Sequence, residues 1–330
     1  MRPFEYIRAD DPAAAVALVS ADPQAEYLAG GTTELDLVLK DGVLEPSRLV
    51  DITRLPLRGI TCAEDTLRVG ALVTMNELAA DPTVSERVPF VREALLAGAS
   101  PQLRNMATIG GNLLQRTRCR YFRDSTVMAC NKRTPGSGCA AVRGPARMHA
   151  ILGAGEHCIA LHASDLCVPL VALDTVVDIQ GVDGERSVPL TQFYVLPGER
   201  PDIENVLEHG ELIARIRIPL LPVGTRSGYL KVRDRASYEF ALTSAAAALL
   251  IKDGTIVRAR LALGGVGTIP WRALDAEEIL HGAPAATGTF RAAAEAALGD
   301  PFTVAGTAFK VELAKRTIVR ILQDVSGVRS

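Results

Sequence analysis

Four cysteines fall within one stretch of about forty residues, and together their thiols could hold a metal. They are Cys119, Cys130, Cys139 and Cys158, spaced C-x10-C-x8-C-x18-C. Four thiolates are the usual ligand set of an iron–sulfur cluster or of a structural zinc ion. The spacing matches neither a CxxC zinc ribbon nor a bacterial ferredoxin run. A cluster, a zinc ion and free buried thiols therefore all stay open on spacing alone.

The segment that carries these cysteines, residues 115–159, shows little hydrophobic periodicity. Loops of this length are uncommon unless they are functional or held by something, and a bound metal would supply free energy to order one. Basic residues around the thiols would offset the negative charge of a thiolate-ligated cluster. They are Arg116, Arg118, Arg120, Arg123, Lys132, Arg133, Arg143 and Arg147.

Two glycine-rich passages could bind phosphate. Residues 30–33 read Gly-Gly-Thr-Thr between a predicted strand and a predicted helix, and residues 108–112 read Thr-Ile-Gly-Gly-Asn. Backbone N–H groups at the start of a helix attract anions, and glycine lets a backbone approach a ligand closely. Neither passage is a GxGxxG fingerprint or a P-loop, and each alone also suits a tight turn. Two of them in one chain favour a dinucleotide that needs two cradles.

Composition excludes several other functions. The net charge is -2, with 48% hydrophobic and 22% charged residues, so the chain lacks the basic footprint of nucleic-acid binding. No apolar run reaches the ~20 residues of a membrane span, and the N-terminus does not read as a secretory signal. No Ser-His-Asp, HExxH or paired-carboxylate pattern is present, so we assign no catalytic residue. Asp165 and Lys231, taken alone, are expected to be solvated or salt-bridged.

These residues must be positioned by more than one unit, because single cores usually stop growing near ~250 residues and the chain has 330. Periodicity and Pro/Gly punctuation predict units over 1–56, 57–220 with an insert at about 115–160, and 225–330. Helices are predicted over 12–20, 34–40, 88–99, 273–280, 290–298 and 310–322. Strands are predicted over 26–29, 47–52, 67–72, 172–179, 212–218, 228–232 and 256–263. The Ala-rich run 240–251 fits a helix or a strand.

Longer motifs resemble the FAD-binding subunits of the xanthine dehydrogenase family of molybdenum hydroxylases. The matching segments are YLAGGTTELDL (27–37), QLRN (102–105) and ATIGGNL (107–113). The insert, with QRTRCRYF (115–122), CNKR (130–133) and PGSGCAA (135–141), more narrowly resembles bacterial periplasmic aldehyde oxidoreductase flavin subunits; the related 4-hydroxybenzoyl-CoA reductase β subunits carry a comparable insert. The likeness extends to KVRDRASY (231–238) and LAKRT (313–317).

The resemblance implies an α+β fold, with a two-subdomain FAD-binding domain of the vanillyl-alcohol-oxidase type and a C-terminal α/β domain of the carbon monoxide dehydrogenase flavoprotein type. It implies a [4Fe-4S] cluster on Cys119, Cys130, Cys139 and Cys158. It also implies three sets of FAD contacts. The first set, on the pyrophosphate, is Ala29, Gly30, Gly31, Thr32, Thr33, Glu34, Leu35 and Asp36. The second is Thr108, Gly111 and Asn112, and the third is Asp165 and Lys231, near the flavin.

In this family a large molybdenum-cofactor subunit hydroxylates the substrate, and a small subunit with two [2Fe-2S] clusters passes electrons to the flavin. The resemblance therefore implies an oxidoreductase subunit that relays electrons to an external acceptor, which could be a quinone, ferredoxin, dioxygen or NAD. It also implies a periplasmic location by export with a signal-bearing partner, with a cytoplasmic location as the alternative. Other interpretations are the flavin subunit of a 4-hydroxybenzoyl-CoA reductase-like enzyme or N-heterocycle hydroxylase, a stand-alone flavin oxidase, and a zinc-ordered binding module.

Overall fold

Three β-sheets organise the chain in the computed structural model, which describes residues 3–328. The first sheet has three parallel strands in the order β1-β3-β2: β1 (Glu5–Arg8), β2 (Ala25–Leu28) and β3 (Arg48–Asp51). Between β1 and β2 lies helix α1 (Pro12–Ser20), as predicted. It begins where the Asp11 side chain accepts a hydrogen bond from the Ala14 N–H, and proline suits its first turn.

The second sheet is antiparallel, with five strands in the order β4-β5-β8-β6-β7. Its strands are β4 (Ile60–Ala63), β5 (Thr66–Gly70), β6 (Val176–Gly181), β7 (Gly184–Pro189) and β8 (Leu212–Pro219). β5 and β6 both pair with β8, although more than a hundred residues separate them in the sequence. The sheet therefore holds the two ends of the intervening helical and insert region together.

Short helices fill the region between β5 and β8. They are α2 (Met75–Ala80), α3 (Pro82–Arg87), α4 (Pro89–Ala97), α5 (Pro101–Met106), α6 (Ile109–Leu113), α7 (Arg120–Arg123), α8 (Cys167–Ala172) and α9 (Leu190–Phe193), with a 3-10 turn at Ala140–Val142. Proline begins α3, α4 and α5, because its missing N–H costs nothing in a first turn. Phe90, Val91 and Leu95 of α4 are fully buried in the core.

The third sheet is antiparallel in the order β12-β11-β10-β9, and three helices follow it. The elements are β9 (Arg226–Val232), β10 (Thr243–Lys252), β11 (Thr255–Gly264), β12 (Trp271–Arg272), α10 (Leu274–Leu280), α11 (Thr287–Ala297) and α12 (Phe309–Ser326). Helix α4 packs on β9, and α8 packs on β10 and β11. The third sheet is thus joined to the second unit along one face.

Two sequence predictions need correction. The helix predicted over 34–40 is a five-residue π-helix at Asp36–Lys40, too short to build a substantial macrodipole. The strand predicted over 172–179 starts only at Val176, because Ala172 closes α8 and Asp174 takes a left-handed φ of 55° between the two elements. Within residues 3–328, no helix combines the length and apolar character that crossing a membrane requires.

Candidate functional site: a cavity between the domains and a cysteine-bearing insert

A cavity of about 450 Å³ lies where the three units meet. Both glycine-rich loops line it, as do residues of the second sheet and of the C-terminal domain. Most of the predicted FAD contacts line this cavity. They are Ala29, Gly30, Gly31, Thr32, Thr33, Glu34, Thr108, Gly111, Asn112, Asp165 and Lys231. The tertiary structure therefore brings together residues that are up to about two hundred positions apart.

Gly30 allows the two loops to approach each other closely. A Cβ atom at Gly30 would lie 2.0 Å from the carbonyl oxygen of Met106, so only glycine permits this approach. Gly31 has φ +67°, in the left-handed region that favours glycine, and turns the chain toward the π-helix. The motif thus shapes the cavity wall through its backbone, as a cradle for a phosphate requires.

Two of the predicted contacts lie outside the cavity lining. The Leu35 side chain packs under Gly31, and the Asp36 carboxylate faces the insert. Asp36 Oδ2 lies 3.1 Å from Arg118 Nη1 and 2.8 Å from Arg123 Nη1. The first loop therefore divides into residues that line the cavity and residues that anchor the insert.

The second loop builds a short helix whose polar side chains are used internally. The Thr108 hydroxyl accepts a hydrogen bond from the Gly111 N–H at 3.2 Å and caps α6. Asn112 Oδ1 accepts from the Ser164 hydroxyl at 2.6 Å. Because these side chains are already engaged, the loop can offer a ligand mainly its backbone and its close-packed surface.

Asp165 and Lys231 form a buried ion pair across the domain boundary. Lys231 Nζ lies 2.8 Å from Asp165 Oδ2, and their side chains are 4% and 10% exposed. The Tyr229 hydroxyl donates to Asp165 Oδ1 at 2.6 Å, and Lys231 also donates to the Ala97 carbonyl. The pair fixes the edge of β9 against the end of α4 beside the cavity.

Sequence reasoning missed several residues that line the same cavity. They include Glu26, Met75, Leu103, Gln115, Arg116, Arg118, Tyr238 and Phe240. Gln115, Arg116 and Arg118 directly follow the second loop, so chain proximity could have found them. Glu26 shortly precedes the first loop and carries the same signal, whereas only folding brings Tyr238 and Phe240 to the cavity.

Glu34 lies in this cavity with a perturbed acidity. Burial raises the pKa of Glu34 to about 7, and the neighbouring carboxylate of Glu26 raises it as well, while Arg116 opposes the shift. Oε1 of Glu34 is buried without a hydrogen-bond partner. An orphaned buried oxygen of this kind is a place where a bound molecule can supply the missing donor.

The four clustered cysteines come together within the insert. Cys130 and Cys139 face each other in an isolated antiparallel bridge, and Cys119 packs in small apolar clusters with both. Cys158 is close enough to interact electrostatically with the other three thiols. Burial is the main cause that raises the pKa of the Cys119 thiol to about 12. All four are free, so the fold assembles a thiol-rich pocket without disulfides.

Among residues 3–328, no three His, Cys, Asp or Glu side chains form a group that could hold a metal ion, so the four thiols are not arranged around one centre. The two remaining cysteines lie elsewhere: Cys62 is exposed, and Cys167 is buried with its thiol 3.1 Å from the Tyr194 hydroxyl.

Most basic residues of the insert pair with carboxylates of other segments, and the charge of Lys132 also acts on the Cys158 thiol. Arg118 and Arg123 bind Asp36, and Arg116 and Lys132 bind Glu204. Arg147 Nη2 lies 2.8 Å from Asp234 Oδ1 in the C-terminal domain. The insert is therefore anchored to all three units by ion pairs as well as by any metal it holds.

Comparison with known proteins agrees with this geometry. Residues 2–221 match the family model described as the FAD binding domain in molybdopterin dehydrogenase. Residues 228–325 match the CO dehydrogenase flavoprotein C-terminal domain. The boundary between the two matches falls at the Pro/Gly-rich segment before β9.

The chain is 46% identical, over 98% of both sequences, to the aldehyde oxidoreductase FAD-binding subunit PaoB of Escherichia coli. It is 30% identical to the 6-hydroxypseudooxynicotine dehydrogenase complex subunit alpha of Paenarthrobacter nicotinovorans, over 97% of this chain and 93% of that one.

Among solved structures, it matches carbon monoxide dehydrogenase from Hydrogenophaga pseudoflava with a TM-score of 0.77 and 27% identity, over 99% of each chain. Quinoline 2-oxidoreductase from Pseudomonas putida 86 matches with a TM-score of 0.76 and 26% identity, over 99% of this chain and 98% of that one. These matches confirm the predicted fold class. The chain belongs to the FAD-binding medium subunits of the xanthine dehydrogenase family of molybdenum hydroxylases.

Proposed function

We propose that this chain is the electron-transfer subunit of a heterotrimeric aldehyde oxidoreductase, and that it carries FAD and one [4Fe-4S] cluster. The aldehyde substrate class is supported by the name of the Escherichia coli relative, which spans nearly the whole chain. The observation that carries the proposal is the adjacency of two sites. Arg118 lines the large cavity, and the next residue is Cys119 of the thiol pocket.

The residues around the large cavity fit FAD. The backbone of Gly30, Gly31, Thr32 and Thr33 and the backbone of the second loop would hold the dinucleotide from two sides, and the Asp165–Lys231 pair would border it from the C-terminal domain. FAD, when bound, supplies the ability to collect electrons singly and release them in pairs. Leu103 and Phe240 add apolar surface to the cavity wall and would exclude water from the bound flavin.

Four cysteine thiols in one insert are the usual ligand set of a cubane cluster, in which each cysteine binds a different iron. Cys130 and Cys139 face each other, and Cys119 packs in the same small clusters as both. Cys158 is close enough to interact electrostatically with these three thiols. Such a cluster beside the flavin would give electrons a short path within this chain.

The chain would receive electrons from a small subunit with two [2Fe-2S] clusters and deliver them to an external acceptor, while a large molybdenum-cofactor subunit oxidises the substrate. Relatives bearing the names medium chain and complex subunit support such an assembly. We propose export to the periplasm with a signal-bearing partner. Cell fractionation of the native host with an antibody against this chain tests it, and recovery with the cytoplasmic fraction would contradict it.

Cofactor analysis of the purified full chain tests the proposal directly. We expect one flavin per chain, with about four iron and four acid-labile sulfide as in one four-iron cluster. C119S should lose most of the iron and keep the flavin, because Cys119 does not line the large cavity. C62S is the matched control, since Cys62 is exposed and distant in sequence from the insert. Stoichiometric zinc, or flavin-free protein that cannot be reconstituted, would overturn the proposal.

Coexpression with large and small subunits of this family from the same host tests the aldehyde assignment. The assembled complex should oxidise aromatic or aliphatic aldehydes and reduce an artificial acceptor, whereas this chain alone should oxidise none of them. Turnover of a small substrate by this chain alone would favour the stand-alone flavin oxidase instead.

A further inference from the structure

A second cavity of about 440 Å³ adjoins the first. Leu114, Gln115 and Arg116 line both, so the two cavities share one wall. Cys158 of the thiol pocket lines the second cavity as well. A molecule bound there would lie beside the proposed flavin site and beside the proposed cluster. The volume is in the range of sites that take a small molecule.

The charged residues of this cavity balance each other. Arg116 Nε lies 2.5 Å from Glu204 Oε2, and Lys132 Nζ lies 2.9 Å from Glu204 Oε1. Asp202 is the fourth charged residue of the lining, so two cations face two anions. Polar and apolar side chains share the remaining wall, and Leu161, Val195, Pro197 and Ile203 form part of its apolar portion. Because the charges are paired and the wall is mixed, a neutral molecule that combines an apolar ring with polar atoms suits this lining better than a charged one.

His162 supplies a hydrogen-bond donor that no group within residues 3–328 accepts. Its Nδ1 accepts a hydrogen bond from the Ser164 N–H at 3.4 Å, so in the neutral ring the proton lies on Nε2. Nε2 is buried and has no partner. Burial lowers the pKa of His162 to about 4, so the ring is neutral at physiological pH.

The orientation of the His162 ring is fixed by its surroundings. The ring packs edge-on against Tyr194, with centroids 4.6 Å apart and an interplanar angle of 70°. The Tyr194 hydroxyl already donates to the Leu113 carbonyl at 2.9 Å. His162 is therefore the aromatic residue of this cavity with a free donor, and a rigid one.

We propose that the second cavity binds a quinone, and that one quinone carbonyl accepts a hydrogen bond from His162 Nε2–H. This proposal rests on the function proposed above, and it names the acceptor class. A bound reduced FAD would supply two electrons and two protons, which would convert the two quinone carbonyls to hydroxyls and leave the FAD oxidised. The imidazole stays neutral and contributes a hydrogen bond, not a proton.

The other acceptors that the family suggests match this cavity less well. A ferredoxin is a protein and would dock on the surface instead of entering a cavity. NAD would bring a charged diphosphate to a lining whose charges already cancel. Dioxygen is too small to need the apolar walls or the fixed donor. A planar ring with a carbonyl at its edge would contact the apolar walls and accept the hydrogen bond from His162.

Reoxidation of the reduced chain tests the proposal, with menadione as the probe. The full FAD-loaded chain is photoreduced anaerobically and mixed with menadione or with ferricyanide, which needs no binding pocket. We expect the menadione rate to saturate with concentration. H162F keeps the ring packing but removes the donor, and it should raise the half-saturating menadione concentration by about tenfold, as the loss of one hydrogen bond does. Its ferricyanide rate should be unchanged.

Two further variants distinguish the loss of the His162 hydrogen bond from a general structural effect of the substitution. H162Q keeps an N–H donor and should recover part of the menadione affinity. H281F is the matched control, because His281 is exposed and does not line the cavity.

Menadione binding is also measured without turnover, by tryptophan fluorescence. Trp271, the only tryptophan of the chain, approaches Gly153 together with Thr268 of the cavity wall, so menadione should quench its fluorescence saturably.

The outcomes separate the two proposals. A chain without flavin, or one whose flavin cannot be reduced and reoxidised by ferricyanide, contradicts the proposed function. Normal ferricyanide reoxidation with a menadione rate that never saturates, or that H162F leaves unchanged, overturns the quinone site and leaves the proposed function standing.

Discussion

Lys231 Nζ lies 2.8 Å from Asp165 Oδ2, and this ion pair joins the C-terminal domain to the FAD-binding domain at the edge of the large cavity. The two residues are 66 positions apart in the sequence, and their side chains are almost entirely buried. A buried charge that loses its partner is strongly destabilising. The pair therefore contributes to the packing of the two domains against each other.

Neutralising one member of this pair should destabilise the chain more than neutralising both. D165N leaves the Lys231 ammonium buried with a weak partner, and we expect a loss of about 3 kcal/mol in the free energy of unfolding. Urea denaturation measures this change in the free energy of unfolding. The double variant D165N/K231M removes both charges and should recover part of the loss. A double variant as unstable as the sum of the single variants would contradict a direct coupling.

Glycine at position 30 should be essential for FAD retention. G30A places a methyl group against the Met106 carbonyl and must push the two loops apart. We expect FAD to bind about tenfold more weakly or worse, since overpacking of this kind typically costs ~1–3 kcal/mol. Equilibrium binding to the flavin-free chain measures the change. G288A is the control, because a Cβ at Gly288 meets open space. Unchanged FAD affinity in G30A would show that the loops are not a cradle.

The pH dependence of folding and of FAD binding should report Glu34. Its pKa rises from the ordinary 4.5 to about 7 in the folded chain. The folded state therefore binds the proton more tightly, so this contribution to stability is complete below pH ~4.5 and is lost as the pH rises to about 7.

We expect the flavin-free chain to lose about 1–3 kcal/mol over that range from this group. FAD affinity should also fall above pH 7, where an ionised Glu34 faces an anionic dinucleotide. E34Q imitates the protonated form and should flatten both profiles. Urea denaturation and FAD titration at several pH values measure them, and identical profiles for E34Q and the parent chain would refute the assignment.

Lys310 should affect stability in the opposite pH direction. It is fully buried, donates from Nζ to the His149 carbonyl at 2.7 Å, and burial lowers its pKa from 10.5 to about 7. The unfolded chain binds the proton more tightly between these values, so stability should rise with pH from about 7 toward 10.5. In the flavin-free, iron-free chain K310M should lose this rise, of about 1–3 kcal/mol. K252M, at an exposed lysine, should keep it.

Several elements followed directly from local sequence. Asp11 and Pro12 define the start of α1, and the predicted helix over 12–20 has the observed bounds. The Ala-rich run 240–251 illustrates the limit of such reasoning, because its sequence fits a helix as well as a strand. It forms β10, since β9 and β11 pair with both of its edges and helices cover it, so its first seven residues are all buried. A segment buried on all sides has no periodicity to reveal its conformation.

The sequence by itself determined the chemical groups: two glycine loops without a standard nucleotide fingerprint, and four clustered thiols in an irregular insert. Only the tertiary structure decided how those groups are used. It placed the Asp36 carboxylate against Arg118 and Arg123, and it left His162 with an unpaired donor in a second cavity. Residue types and spacing record local propensity, whereas the direction of a side chain depends on partners that are distant in the sequence and near only after folding.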